Sequence, residues 1–238
     1  MSSASKRILI AGATGYLGSH LAPLLLARGH EVVALVRPES IDRVPQGCEI
    51  VFGDACEAIA YAQAAQGCDT IIHLVGVSHP SPAKASLFER VDLASARAAA
   101  YAAFKAQAKH VLYVSVAHPA PVMHAYIAAR IEAESIFWAT GVPLSIFRPW
   151  YVIGPGHRWP LLLMPLYKLA ERFPRTRGAA RRLGLVRLEA MLQSMLHAVE
   201  HPPHNIQTWN VEAIRRAQPA RKIPVSNNLP TASALGEA

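Results

Sequence analysis

The sequence predicts an α/β fold, in which a doubly wound parallel sheet carries helices on both faces and is followed by a short C-terminal cap. Two observations predict it. Short apolar segments rich in valine, isoleucine and leucine alternate with longer helical stretches along the first two thirds of the chain. Strands of this composition are typical of sheets that are buried on both faces. Alternating units joined by right-handed crossovers then favour the doubly wound arrangement.

The elements follow one another in regular order. The predicted strands are 7–11, 31–36, 49–52, 70–75, 111–115 and 143–147. The predicted helices are 16–28, 56–65, 86–107 and 124–139. The connection 37–48 contains two prolines, so we expect a loop with at most one short helix there. After residue 158 the alternation stops, but a helix is expected at 188–200 and a last strand at 206–211.

The stretch 8–37 contains the most specific pattern of the chain. Gly12, Gly15 and Gly18 have G-x-x-G-x-x-G spacing between an apolar run and a helical run. Gly12 permits a sharp turn off the strand, Gly15 lets backbone approach a pyrophosphate, and Gly18 lets the helix pack closely. The start of that helix would present free N–H groups to phosphates. In this context the pattern predicts a Rossmann-type dinucleotide-binding site.

Three further positions bear on the nucleotide. Arg37 ends the second strand, where an acidic residue usually holds ribose hydroxyls, and a guanidinium there suits a 2′-phosphate. This predicts NADP, with NAD and a plain surface arginine as the alternatives. Asp54 is expected to accept a hydrogen bond from the adenine amino group, to be the N-cap of the helix at 55–65, or to do both. Gly76 either lets backbone pass close to the nucleotide or is a plain turn glycine.

Length and composition bound the domain organisation. We predict a binding domain at 1–156, a small cap at 157–216 that is integrated with it, and a disordered tail at 217–238. A composition of 52% hydrophobic and 17% charged residues is typical of a globular chain. Three cysteines without a C-x-x-C pair predict reduced thiols and no metal site. With no apolar signal core at its start, the chain is expected to be cytoplasmic.

The formal net charge of +8 is concentrated in one part of the chain. The segment 172–187 contains six arginines, and it follows a predicted helix at 159–173 with one apolar face. The basic segment is expected to bind an anionic membrane surface or an acidic protein partner, to reach cofactor phosphates, or to be a solvated face. The apolar helix face is expected either to pack in the core or to lie on a membrane. No nucleic-acid partner is predicted, because neither zinc-finger spacing nor an aromatic ribonucleoprotein motif occurs.

Six motifs carry a resemblance to a known family. They are GATGYLG at 12–18, GDA at 53–55, HLVG at 73–76, YVS at 113–115, YIAAR at 126–130 and FRPWYVIGPG at 147–156. With these motifs, residues 7–156 resemble the short-chain dehydrogenase/reductase superfamily. The resemblance is to its extended or atypical branch, which includes epimerase/dehydratase-like proteins, NmrA-like proteins and the nucleotide-binding accessory subunit of respiratory complex I.

The resemblance implies which residues contact the cofactor. They are expected to be Gly12, Thr14, Gly15, Tyr16, Leu17, Gly18, Arg37, Asp54, Ala55, Leu74, Val75, Gly76, Ser115, Tyr126, Arg130, Pro149 and Val152. In the family, the Arg-Pro after the sixth strand brings backbone to the nicotinamide. The last two residues are therefore implied at that end of the nucleotide.

The resemblance also implies a catalytic set of Tyr126, Arg130 and Ser115. In the family, a tyrosine and a lysine four residues later do acid–base work beside a serine. Here Tyr126 and Arg130 share one helix face, but a guanidinium does not readily release a proton. Ser115 lies slightly before the family's serine position, and His118 and His124 are further acid–base candidates.

This altered set leaves two functions open. One is an NADP-dependent oxidoreductase or epimerase-like enzyme that acts on a small-molecule substrate. The other is a catalytically silent nucleotide-binding protein, which would act as a redox sensor or as part of an assembly. The intact phosphate loop beside an altered catalytic set favours the silent protein, whereas the retained Tyr126 favours the enzyme.

Overall fold

The computed structural model describes residues 4–156, 178 and 182–216. Within them, seven strands form one parallel sheet in the order β3-β2-β1-β4-β5-β6-β9, and β7 and β8 pair separately. The strands are β1 (Arg7–Ala11), β2 (Glu31–Val36), β3 (Glu49–Phe52), β4 (Thr70–His73), β5 (His110–Val114), β6 (Leu144–Arg148), β7 (Tyr151–Ile153), β8 (Leu185–Arg187) and β9 (Ile206–Asn210). The Rossmann-type sheet is therefore confirmed. Its strand order reverses between β1 and β4, where such folds bind ligands.

Helices cover both faces of the sheet. They are α1 (Tyr16–Ala27), α2 (Ala58–Ala64), α3 (Ala85–Leu87), α4 (Ala94–Lys105), α5 (His124–Trp138), α6 (Leu188–Glu200) and α7 (Val211–Arg216). A first core lies between the sheet and α2, α4 and α5, and it is filled by the alanine-rich face of α4 and by aromatic side chains. A second core lies between the sheet and α1 and α6, where leucine and methionine side chains interdigitate. Both faces of the central strands are thus buried, as their apolar composition predicts, whereas the edge strands β3 and β9 are largely exposed.

The connection after β2 and the C-terminal elements agree with the sequence predictions. Pro38–Arg43 is a single short 3₁₀ helix, α6 has the predicted bounds, and β9 ends one residue earlier than expected. The predicted strand 70–75 is wrong at its end. β4 stops at His73, and after one more ladder hydrogen bond, from the Leu74 N–H to the Ala11 carbonyl (2.9 Å), the chain leaves the sheet.

The predicted helix 86–107 is also wrong as one regular helix. It begins as α3, continues as a π-helix over Phe88–Leu93, and becomes α4 only at Ala94. The wider π turn brings Asp92 to the buried side, where its Oδ2 accepts a hydrogen bond from the Val77 N–H (3.1 Å). A π segment inside a helix is frequently found at a functional site.

Several sequence predictions lie outside the described residues. They are the helix at 159–173, the tail at 217–238 and the arginines of the basic segment other than Arg182 and Arg187. Among the helices that are described, none combines the length and the apolar character needed to cross a bilayer.

Candidate functional site

The loops that follow β1 to β5 enclose one cleft of about 730 Å³ at the carboxyl edge of the sheet, which we call the main cleft. It brings together most of the residues predicted to contact a cofactor. These are Gly12, Thr14, Gly15, Tyr16, Leu17, Gly18, Arg37, Asp54, Ala55, Leu74, Val75, Gly76, Ser115, Tyr126 and Arg130. Pro149 and Val152 are outside its described lining. The Pro149 carbonyl accepts a hydrogen bond from the Ala117 N–H, and Val152 pairs with Val186 in the small sheet.

The glycine loop has the geometry of an anion cradle. Gly12 has a φ of +91°, and a Cβ there would lie 3.1 Å from the Leu74 backbone. A Cβ at Gly18 would lie 2.6 Å from the Ala13 Cα, so only glycine lets α1 pack this closely. Gly15 is the N-cap of α1, and no side chain caps the helix. The start of α1 is therefore suited to an anion, which the helix dipole favours there.

Two residues that the sequence analysis missed lie beside Arg37. Ser40 and Arg43 belong to the 3₁₀ helix after β2 and also line the main cleft. The Arg43 Nη2 donates a hydrogen bond to the Ser40 hydroxyl (2.8 Å). The exposed Arg37 has its Nε 3.3 Å from the Glu39 Oε1. Side chains three residues apart eclipse in a 3₁₀ helix. This spacing in PESIDR was the signal that could have identified them.

Asp54 is positioned by a turn and not by a helix. Its Oδ1 accepts a hydrogen bond from the Cys56 N–H (2.8 Å), and α2 begins only at Ala58, with Glu57 as its N-cap residue. The N-cap interpretation of Asp54 is therefore wrong. The carboxylate remains at the main cleft, where its role as an acceptor for adenine stays a prediction.

Tyr126 and Arg130 lie together, as their spacing on α5 predicts. The Arg130 Cζ is 5.1 Å from the centroid of the Tyr126 ring, and both side chains line the main cleft. Arg130 is only 6% exposed. Its Nη1 donates to the Val114 carbonyl (3.0 Å) and to the Tyr113 hydroxyl (3.3 Å). The guanidinium is thus fixed beneath the tyrosine ring.

A buried carboxylate balances this guanidinium. Asp92, at 1% exposure, has its Oδ1 2.9 Å from the Arg130 Nη2. A Cβ at Gly76 would overlap Arg130 and lie 3.0 Å from the Asp92 Oδ1, so Gly76 makes room for the ion pair. Burial by itself would lower the pKa of Arg130, but Tyr113, Tyr126 and Asp92 together raise it, and the group stays charged. The sequence analysis missed Asp92, which follows the charged Glu89 and Arg90 and so carries no local signal of burial.

Two buried polar atoms at the main cleft have no hydrogen-bond partner among the described residues. They are the Ser115 Oγ, which follows β5 directly as predicted, and the Arg130 Nε. Buried polar groups are normally paired, so each calls for a polar partner supplied by a ligand or by water. His118 and His124 do not line the main cleft. His118 instead lies 3.8 Å from Glu134, and His124 is exposed at the start of α5.

The main cleft has the features that an extended dinucleotide requires. They are a glycine cradle, a helix start without a side-chain cap, an arginine pair at the ribose end, and unpaired polar groups at the other end. These features define a protein that binds a nicotinamide dinucleotide on a Rossmann-type sheet. The chain belongs to the NAD(P)H-binding family, whose model matches residues 12–154. It is thereby a member of the short-chain dehydrogenase/reductase superfamily, as its motifs predict.

Two curated relatives are reductases by name. The chain is 33% identical over 169 residues to "Ceramide reductase" of Caulobacter vibrioides. This match covers 70% of this chain and 52% of the relative. It is 33% identical over 159 residues to "3-diazoavenalumate denitrifying reductase" of a Streptomyces species, which covers 64% and 46% respectively. The chain therefore spans about half the length of these relatives.

Solved structures share the fold. The enzyme WbmH of Bordetella bronchiseptica, in complex with NAD+, matches with a TM-score of 0.66 at 18% identity, over 87% of this chain and 76% of that one. UDP-N-acetylglucosamine 4-epimerase of Bacillus cereus matches with a TM-score of 0.66 at 14% identity, over 87% and 78%. At such identities the likeness concerns the fold alone.

Proposed function

We propose that this protein is an NADPH-dependent oxidoreductase that reduces a carbonyl group of a small-molecule substrate. The observation that carries the proposal is the position of Tyr126, which lines the same cleft as the phosphate loop and lies 5.1 Å from a permanently charged guanidinium. The two curated relatives described above bear reductase names, which supports reduction over epimerisation for this chain.

The arginines after β2 support NADP over NAD. Arg37, Ser40 and Arg43 line the main cleft beyond the end of β2, where the adenosine ribose binds in this fold. Arg43 is held by its hydrogen bond to Ser40 and keeps further N–H donors for a phosphate. A 2′-phosphate would therefore meet two guanidiniums and a hydroxyl, which pair with it more strongly than with the bare hydroxyl of NAD.

The protein's own groups have distinct roles in such a reaction. When bound, NADPH supplies a hydride to the carbonyl carbon. Tyr126 donates its hydroxyl proton to the carbonyl oxygen, and Ser115 donates a hydrogen bond to the same oxygen. Arg130 stabilises the resulting tyrosinate through its charge and does not itself transfer a proton. Water that enters from the open side of the main cleft returns the proton to Tyr126.

Turnover tests the proposal directly. Oxidation of NADPH is followed by absorbance with a panel of aldehydes and ketones. Tyr126→Phe is expected to lower the rate about 10²–10⁴-fold with NADPH affinity little changed, the loss typical of a general acid. Tyr101→Phe, on the exposed side of α4, is the matched control and should behave like the wild type.

The other outcomes separate the alternatives. Turnover that survives Tyr126→Phe contradicts the catalytic role of Tyr126. NADPH that binds tightly but is oxidised with no member of the panel contradicts the reductase and favours the catalytically silent sensor or assembly protein. Interconversion of stereoisomers without net consumption of NADPH identifies an epimerase-like enzyme.

A further inference from the structure

A second pocket of about 500 Å³ lies at the carboxyl edge of the sheet, beyond the ends of β6 and β9, and we call it the β6–β9 pocket. Its described lining includes His118, Arg148, Arg182, Thr208 and Asn210. It shares no described lining residue with the main cleft. The carboxyl edge of a doubly wound sheet is where ligands bind, so this pocket is a candidate site in its own right.

The loop after β5 is the wall between the two pockets. Ser115 lines the main cleft, whereas Ala117 lines the β6–β9 pocket. The Ser115 N–H donates to the Phe147 carbonyl (2.7 Å) and the Ala117 N–H donates to the Pro149 carbonyl (2.9 Å), so β6 and the residues after it hold this wall in place. The Cα atoms of residues two apart are at most about 7 Å from each other. The two pockets are therefore adjacent at this edge of the sheet.

The two arginines of the β6–β9 pocket are held by bonds that leave part of each guanidinium unused. The Arg148 Nε donates to the Glu134 Oε1 (2.9 Å), and its Nη2 also bonds this carboxylate. The Arg182 Nε donates to the Pro119 carbonyl (3.0 Å). Among the described residues, nothing bonds the Arg148 Nη1 or either terminal nitrogen of Arg182. Both guanidiniums are thus positioned, and both retain donors.

The charges at the pocket do not cancel. Glu134 is nearly buried and is shared between Arg148 and His118, whose Nε2 lies 3.8 Å from it and has no hydrogen-bond partner among the described residues. Glu212 also lines the pocket, but it pairs with the exposed Arg216 at 3.6 Å. Arg182 therefore has no carboxylate partner in the described part of the chain. Burial, together with the field of Arg148 and Arg182, lowers the pKa of His118.

We propose that the β6–β9 pocket binds an anionic group of the substrate, a carboxylate or a phosphate, whose carbonyl end lies at Tyr126 in the main cleft. Arg148 and Arg182 would hold the anion by charge-assisted hydrogen bonds, with the Asn210 and Thr208 side chains as further donors. This substrate class rests on the proposed reductase function. The anion site itself does not, so the two are tested separately.

Binding is tested with inorganic phosphate as the probe. Uniformly ¹⁵N-labelled protein is first saturated with NADP+, so that the main cleft is filled, and phosphate is then titrated while amide shifts are followed. Saturable shifts are expected at Ala117 and Asn210. Arg182→Gln is expected to weaken phosphate binding about tenfold, the loss of one charge-assisted bond. Arg97→Gln, which removes the same charge from the outer face of α4, should leave the affinity unchanged.

Two results of this titration would overturn the anion site. One is the absence of saturable shifts in the wild type. The other is equal weakening by Arg182→Gln and Arg97→Gln, which would mean diffuse attraction by net charge. NADP+ affinity, measured in each variant, shows that the fold is retained.

Turnover tests the substrate class. Benzaldehyde and 4-carboxybenzaldehyde present the same carbonyl with and without an anion. The carboxylated aldehyde is expected to have the higher kcat/KM, and Arg182→Gln should reduce this advantage about tenfold while Arg97→Gln retains it. Equal kcat/KM values in the wild type would refute the anionic substrate class. If neither aldehyde nor any other carbonyl is reduced, the reductase function fails, and the phosphate titration still decides whether the pocket binds anions.

Discussion

The buried His110 makes the stability of this protein depend on pH in a way that can be worked out. His110 lies in β5 at 1% exposure, and its Nε2 is 3.0 Å from the Ser145 hydroxyl. Burial, with a smaller contribution from Lys6, lowers the pKa of His110 from 6.5 to about 4. The unfolded chain therefore binds a proton more readily than the folded protein between these two values. The neutral imidazole stabilises the fold fully above the unfolded pKa, and this stability is lost as pH falls towards the folded pKa.

The size of the effect follows from the two pKa values. Their difference corresponds to a maximum of about 3.4 kcal/mol of unfolding free energy. Between about pH 7.5 and about pH 4.5, His110 alone should cost about 2.5 kcal/mol. His110→Gln places an amide group near the position of the Nε2 but cannot titrate. It should therefore lose about 2.5 kcal/mol less than the wild type over this interval.

Denaturant unfolding followed by circular dichroism at the two pH values measures this double difference. Other titrating groups, including the buried His73, contribute equally to both proteins and cancel. His124→Gln, at an exposed position, is the control and should lose as much as the wild type. If His110→Gln and the wild type lose the same unfolding free energy on acidification, the reasoning about His110 is wrong.

The remaining predictions concern the main cleft. Gly76→Ala should lower the unfolding free energy by about 3–5 kcal/mol, because the new methyl group displaces Arg130 from its buried partner Asp92. Denaturant unfolding measures this loss, and an unchanged midpoint contradicts the packing argument. Arg130→Lys should keep NADPH affinity but lose about 1–3 kcal/mol of stability in the same assay, since one ammonium cannot replace the guanidinium fork. Arg43→Gln should weaken NADPH binding about 10- to 100-fold in a fluorescence titration with NADH affinity little changed, whereas equal loss for both nucleotides would place the 2′-phosphate elsewhere. Gly15→Val should abolish measurable NADPH binding while the circular dichroism spectrum stays that of a folded protein.

The sequence predicts best what local patterns determine. The strand, turn and helix around Gly12, Gly15 and Gly18 are predicted correctly, because glycine spacing and apolar periodicity act within a few residues. The helix 188–200 was predicted to the residue for the same reason. The ends of the strands are harder to predict from the sequence. The end of β4, for example, depends on the tertiary contacts of Leu74 after the chain leaves the sheet.

The parts of the candidate site that were missed depend on contacts between distant segments. Asp92 lies 38 positions before Arg130, and nothing in the local pattern of either residue indicates that they form an ion pair. The π-helix that turns Asp92 inward has no sequence signature of its own. The sequence could thus place a cation four residues after Tyr126, but only the fold shows that Val114 and Asp92 hold it there.

The packing of α1 against α6 has a thermodynamic consequence. α1 bears the phosphate loop, and the Arg28 guanidinium just after it binds Glu200 at the end of α6 (2.8 Å). The Lys6 ammonium, just before β1, also bonds the Val199 carbonyl. Nucleotide binding therefore stabilises α6 through linkage, and loss of α6 is expected to weaken nucleotide binding. Proteolysis within 188–200 should accordingly slow as NADPH is added, in proportion to the occupancy of a site at the opposite end of α1.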